Sequence, residues 1–216
     1  MNIKVCGITQ LKQVQQLEGL NIDFAGFIFD KNSPRYVVGK LDGKEVKNAD
    51  YDLKKVGVFV NPSYNDILDA IEEYGLDVVQ LHGEETPEFC SDLNEDVEVI
   101  KVFHIDTSIK SIDELVAPYD EACDYYLFDT APANSPKGGE QNPKGGTGKQ
   151  FDWNIIAKSK IEKPFFLSGG IGVNDIAKIK AFKHPDFYGV DINSKVESEP
   201  GVKDMSLVLK FKVGMK

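Results

Sequence analysis

The sequence lacks a long apolar run. No stretch reaches the roughly 20 residues that a transmembrane helix needs, so no membrane contact is expected. A strand-like segment begins almost at once, which leaves no room for a signal peptide. Cysteine is scarce. Cys6, Cys90 and Cys123 are odd in number and widely spaced, which argues against a disulfide framework or a cysteine metal cluster. A reducing cytoplasm is the expected compartment. Positive charge is in deficit: 25 lysines and arginines face 35 aspartates and glutamates, a net charge of −10. Such a surface repels phosphate backbones, so nucleic acid is not an expected partner. A small anionic ligand is not excluded, because a local pocket of N–H groups and a few cations suffices.

What is present is the composition of an ordinary globular protein, with 41% hydrophobic and 28% charged residues in 216. Eight short apolar runs read as strands: 3–7, 24–29, 55–60, 78–81, 98–103, 125–129, 164–168 and 187–192. Amphipathic stretches at 11–19, 64–75, 174–182 and 205–212 read as helices, with Gly75 as a C-cap and 38–53 as a weak, short helix. Eight β–α units without a linker predict one domain over 1–216, a parallel (β/α)₈ TIM barrel of α/β class. An open, doubly wound sheet is the alternative, but no G-x-G-x-x-G follows a strand.

In a (β/α)₈ barrel, function sits at the C-terminal ends of the strands. There the sequence places Cys6-Gly7, "SPRYV" with Arg35, Asn61, His82-Gly83, Asp129-Thr130, "SGGI" and "DINS". Gly169 and Gly170 let backbone N–H groups approach an anion, and Asn193 and Ser194 add side-chain donors on the next turn. Loops after strands seven and eight are the usual phosphate site of this fold. Arg35 is either an exposed loop arginine or a fork for a carboxylate or phosphate. Asp129 is either a helix cap or ion-pair partner, or an acid with a raised pKa. Cys6 is either buried filler or a thiol made reactive beside a helix N-terminus. With no second His or Cys near it, His82 reads as a packed, hydrogen-bonded side chain. Cys90 and Cys123 read as structural, and Trp153, the single tryptophan, as packed against the barrel exterior. The loop 130–150 repeats "PKGG" and is either a closing lid or a surface loop.

Together "KVCGIT", "GFIF…SPRYV", "VGVFVN", "VQLHG", "FDT…GGTGKQFDW", "LSGGI…N" and "GVDINSKVE…PGVKD" resemble the phosphoribosylanthranilate isomerase family of tryptophan synthesis, block by block and in order. The resemblance implies a barrel with no metal and no cofactor, a phosphorylated small-molecule substrate, and a monomer or homodimer. It implies an Amadori rearrangement, with Cys6 as general base, Asp129 as general acid, and Arg35 on the anthranilate carboxylate. Gly169–Gly170 and Asn193–Ser194 match its phosphate turns. That chemistry needs a protonated carboxyl and an ionised thiol together, so the site is expected to raise Asp129 and lower Cys6. Lys195 departs from the family's usual glycine, and the doubled "PKGG" lengthens one loop. The related isomerase of histidine synthesis uses a pair of aspartates, one where Cys6 stands. A non-catalytic phosphate-binding barrel needs neither Cys6 nor Asp129.

Overall fold

Eight runs rich in Val, Ile, Phe and Tyr become eight strands, since branched and aromatic side chains fit a pleated, buried surface. They are β1 (Asn2–Cys6), β2 (Phe24–Ile28), β3 (Lys54–Phe59), β4 (Val78–Leu81), β5 (Glu98–Ile105), β6 (Tyr125–Thr130), β7 (Phe165–Leu167) and β8 (Phe187–Ile192). The computed structural model describes residues 1–131 and 151–216. The doubled "PKGG" and nearly all of the long loop, from 132 on, lie outside the described residues. All neighbouring strands pair in parallel, and β8 pairs with β1 to close the barrel.

Between the strands run α1 (Leu11–Gly19), α2 (Gly43–Asn48), α3 (Tyr64–Tyr74), α4 (Pro87–Asn94), α5 (Ile112–Val116), α6 (Asn154–Ala157), α7 (Ile176–Ala181) and α8 (Met205–Met215). Local signals start and stop them. Ser63 and Asp66 form a capping box for α3, and Gly75 ends it at φ 62°, its N–H bonded to the Ile71 carbonyl. Thr86 caps α4, with Pro87 in the first turn. A small antiparallel hairpin, β9 (Glu197–Glu199) and β10 (Val202–Lys203), follows β8.

The two-residue period of a strand sorts its side chains into two cores. Ile3, Val5, Val79, Leu81, Val99, Phe103, Tyr126 and Phe128 face outward into the large core beneath the helices. Cys90 and Cys123 belong to it as buried thiols. Trp153 does too, its ring edge-on to Phe182. The opposite face fills the barrel. Phe24, Val56, Val78, Ile100, Leu127 and Phe166 form a separate apolar plug, with Phe24 edge-on to Phe166 at 5.4 Å. Two residues further along the same inward rows come polar groups: Gln80 and His82 after Val78, His104 after Ile100 and Val102, Asp129 after Leu127. The barrel is therefore dry at the bottom and polar at the mouth.

Candidate active site at the barrel mouth

Cys6 is the last residue of β1 and is buried. Gly26 lies beside it on β2, and a methyl group there would stand 2.9 Å from Cys6 Sγ and 3.2 Å from Lys4 Nζ. Glycine thus makes the space in which thiol and ammonium meet. Lys4, two residues before Cys6, shares its inward row. Its Nζ donates to Asp191 Oδ1 at 3.1 Å, with both side chains buried. Burial pulls Lys4 down, but Asp191 and Cys6 outweigh it and lift the ammonium above its ordinary range. A charged lysine therefore faces the thiol.

Asp129 ends the inward row of β6, nine-tenths buried. Its Oδ1 accepts from the Thr130 N–H at 2.7 Å, and its Oδ2 lies 3.5 Å from His82 Nε2. His104 sits directly across the β5–β6 ladder from it. The His82 and His104 rings are 4.9 Å apart, centroid to centroid. His82 therefore has a second histidine beside it, contrary to the sequence expectation. That expectation ended β5 at Phe103, whereas the strand runs to Ile105.

The proton affinities differ from those the sequence led us to expect. Burial pushes the Cys6 thiol up, and the nearby Lys4 and Lys203 only partly offset it. Burial also pushes Asp129 up, but His82, His104 and the Thr130 N–H outweigh it and hold the carboxyl below the usual carboxylate range. The cause is placement. The thiol is dry and its lysine is shared with Asp191, whereas the carboxyl faces two imidazoles. In the free site the proton rests on sulfur.

Arg35 reaches the same mouth from the loop after β2. Its Nε donates to both Glu197 oxygens, at 2.9 and 3.1 Å, and its Nη2 to Oε2 at 2.5 Å. Glu197 also accepts from Lys203 Nζ at 2.6 Å, and Lys203 donates to Asn193 Oδ1 at 2.6 Å. Gly7 holds this group against Cys6. At φ 77° it has no side chain, and a methyl there would lie 2.6 Å from Arg35 Cδ and 3.0 Å from Asn193 Oδ1. Gly169, at φ 90°, is pressed on the other side: a methyl would lie 2.3 Å from Thr130 Oγ1 and 3.0 Å from Asp129 Oδ1. Gly170 is left-handed too, at φ 67°. Lys195 packs its Cβ against Gly172, which brings the turns after β7 and β8 together. Ser194 opens the 3₁₀ turn of the second.

Each candidate chosen from sequence therefore lies at this mouth. Lys4, His104, Asp191, Glu197 and Lys203 were missed. A lysine inside a buried strand was the available signal for Lys4. Glu85 and Lys101 were missed as well. They form a buried pair at 2.7 Å, and Glu85 accepts the Gly83 N–H while Lys101 donates to the Gly83 carbonyl. This clamp fixes the turn that carries His82. A separate groove of about 400 Å³ beside Phe29, Tyr36 and Asn61 is ringed by Asp30, Asp66, Asp69 and Glu73, and suits an anion poorly.

Residues 3–213 match the family described as N-(5'phosphoribosyl)anthranilate (PRA) isomerase. A relative from Parabacteroides distasonis, N-(5'-phosphoribosyl)anthranilate isomerase, is 38% identical over 213 residues, 98% of this chain and 91% of that one. The crystal structure of phosphoribosyl anthranilate isomerase from Thermotoga maritima matches with a TM-score of 0.82 and 31% identity, covering 100% of this chain and 98% of the other. A structure of such an isomerase in complex with reduced 1-(o-carboxyphenylamino)-1-deoxyribulose 5-phosphate matches with a TM-score of 0.76 and 28% identity, with the same coverage. With eight parallel β–α units closed into a barrel and this full-length likeness, the chain belongs to the N-(5'-phosphoribosyl)anthranilate isomerase family.

Proposed function

We propose that this protein is an isomerase of tryptophan synthesis. It converts N-(5'-phosphoribosyl)anthranilate into 1-(2-carboxyphenylamino)-1-deoxyribulose 5-phosphate, with Asp129 as general acid and Cys6 as general base. The observation that carries the reading is the meeting of two inward rows: the only thiol and the only acidic side chain of β1 and β6 both end at the mouth.

Asp129 protonates the furanose ring oxygen as the anilino nitrogen pushes the C1′–O bond open, leaving an iminium. Cys6 takes the C2′ proton, and those electrons form the C1′=C2′ bond and return the lone pair to nitrogen. The enolamine then moves a proton from the C2′ hydroxyl to C1′ and becomes the ketone. C1′ is reduced as C2′ is oxidised, so the balance is internal and no redox partner is required.

Lys4 supports the thiolate through charge, and the substrate's own negative groups oppose the charge on Asp129. Glu197 fixes the Arg35 fork, whose other N–H groups take the anthranilate carboxylate. The Gly169–Gly170 turn and the Asn193–Ser194 turn hold the phosphate, with Lys195 adding a cation. A reducing cytoplasm suits a working thiol and three free cysteines.

The test offers the purified protein the tryptophan-pathway and histidine-pathway phosphoribosyl substrates separately. Consumption of the first, followed by loss of anthranilate-type fluorescence, is expected. Cys6→Ser and Asp129→Asn should each lower kcat by orders of magnitude with little change in KM. Binding without turnover, or near-normal kcat in either variant, defeats the assignment.

A further inference from the structure

We propose that the barrel mouth contains a binding site for a borderline divalent transition-metal ion, Zn²⁺ being the type, formed by His82, His104 and Asp129, and that the bound ion stops turnover by occupying Asp129.

The three side chains come from the ends of consecutive strands, and one ligand atom of each lies within 4.8 Å of the other two. Zinc bonds of about 2.0–2.2 Å at tetrahedral angles place neighbouring ligand atoms ~3.4 Å apart. His82 Nε2 and Asp129 Oδ2 are already 3.5 Å apart. The remaining adjustment is a small rotation of side chains at the ends of fixed strands. His82 Nε2 is buried, and its 3.5 Å separation from Asp129 Oδ2 is too long for a well-formed hydrogen bond.

The residue behind His82 also fits. Gln80 Nε2 is 3.1 Å from His82 Nδ1, while Gln80 Oε1 is buried and lacks a partner among the described residues. A half-turn of that amide exchanges the two. The His82 Nδ1–H then donates to Oε1, which satisfies the orphan oxygen and frees the Nε2 lone pair. A ligating histidine that donates its other N–H to a carbonyl is the usual support of a metal site. Two imidazoles and one carboxylate select zinc, cobalt, nickel or copper over magnesium or calcium. The set leaves a coordination position open, as in zinc sites that exchange ligands.

Metal binding is independent of the catalytic assignment. The inhibitory effect rests on the reading of Asp129 as the acid, because a carboxylate held by a dication cannot deliver a proton. The experiment therefore reads binding and turnover separately. Chelator-treated full-length protein is titrated with Co²⁺ and then Zn²⁺, by visible absorption and calorimetry. Wild type, His104→Gln and Cys6→Ser are compared, each with a thermal melt to show folding.

The expected result is one Co²⁺ per chain with the intense bands of tetrahedral cobalt, displaced by Zn²⁺, and without a thiolate-to-cobalt charge-transfer band. His104→Gln should weaken binding at least about 10-fold, and Cys6→Ser should leave it within about twofold. Zn²⁺ should inhibit wild-type turnover reversibly, with chelator restoring it. Relative to its own uninhibited rate, His104→Gln should need at least about 10-fold more Zn²⁺. No saturable binding below about 100 µM, unchanged binding in His104→Gln, or loss of binding in Cys6→Ser overturns the site. Binding that follows the expected pattern but leaves turnover intact overturns the inhibitory role and the acid role of Asp129, while the site itself stands.

Discussion

His104 and Asp129 are register partners on adjacent strands, so an imidazole stands beside the carboxyl that ends β6. Together with His82 and the Thr130 N–H it overcomes burial and holds that carboxyl low. Replacing His104 by phenylalanine removes part of the opposing charge, and the Asp129 pKa should rise. The acid limb of the kcat/KM profile should move to higher pH than in wild type. An unmoved limb would separate His104 from Asp129.

The pH profile itself should be a broad plateau. The productive pair has one proton shared between Asp129 and Cys6. Below the lowered Asp129 pKa both are protonated and the base is lost; above the raised Cys6 pKa both are ionised and the acid is lost. Activity should persist from about pH 4, the ordinary carboxyl value, to beyond about pH 8.5, the ordinary thiol value. A narrow bell within the neutral range contradicts these directions. Because the catalytic microstate is the minor one, a bound substrate that raises Asp129 should also raise the acid limb of kcat above that of kcat/KM.

Lys4→Met should be costly in two ways. It leaves the buried Asp191 carboxyl without its partner, a loss of about 3–5 kcal/mol by comparison with other broken buried pairs. Lys4→Met with Asp191→Leu removes both charges and should recover much of that loss in urea unfolding. Turnover should not recover, since the thiolate still lacks its cation. Full activity in the double variant would reduce Lys4 to a structural role.

Gly169→Ala tests the phosphate turn. The residue sits at φ 90°, and its new methyl would meet Thr130 Oγ1 at 2.3 Å. Strain of this kind costs about 1–3 kcal/mol. Thermal unfolding should show the loss, and KM for the phosphorylated substrate should rise more than kcat falls. A normal KM would move the phosphate elsewhere.

Arg35→Lys keeps the charge but loses the planar fork that holds Glu197 through Nε and Nη2 while leaving further N–H groups for a ligand. The expected change is a KM raised at least about 10-fold with a smaller effect on kcat, measured by steady-state kinetics. An unchanged KM would free the anthranilate carboxylate from Arg35.

Much of this was visible in the sequence because parallel strands are apolar on both faces and stand out as runs. Those runs gave the barrel, and the polar residues that end them gave Cys6, Asp129 and the glycine turns. Other features have no local sign. Helices α4, α5 and α6 span eight, five and four residues, too few turns to show a period. His104 was hidden because a polar residue after Phe103 looked like a strand end. Lys4 needs Asp191, 187 positions away, and Arg35 needs Glu197, 162 positions away. Pairings over such distances are made by the fold, and a single sequence does not state them.

The Lys4–Asp191 bridge has a consequence for how the protein matures. It stitches the seam between the first and the last strands of the barrel. A nascent chain that has emerged only as far as β7 holds both Cys6 and Asp129 but carries the Lys4 ammonium without its Asp191 counter-charge. Half-barrels inherit the same defect, one keeping the thiol and the other the carboxyl. Ring closure thus gives Lys4 its counter-charge and brings Cys6 and Asp129 to one mouth in the same event.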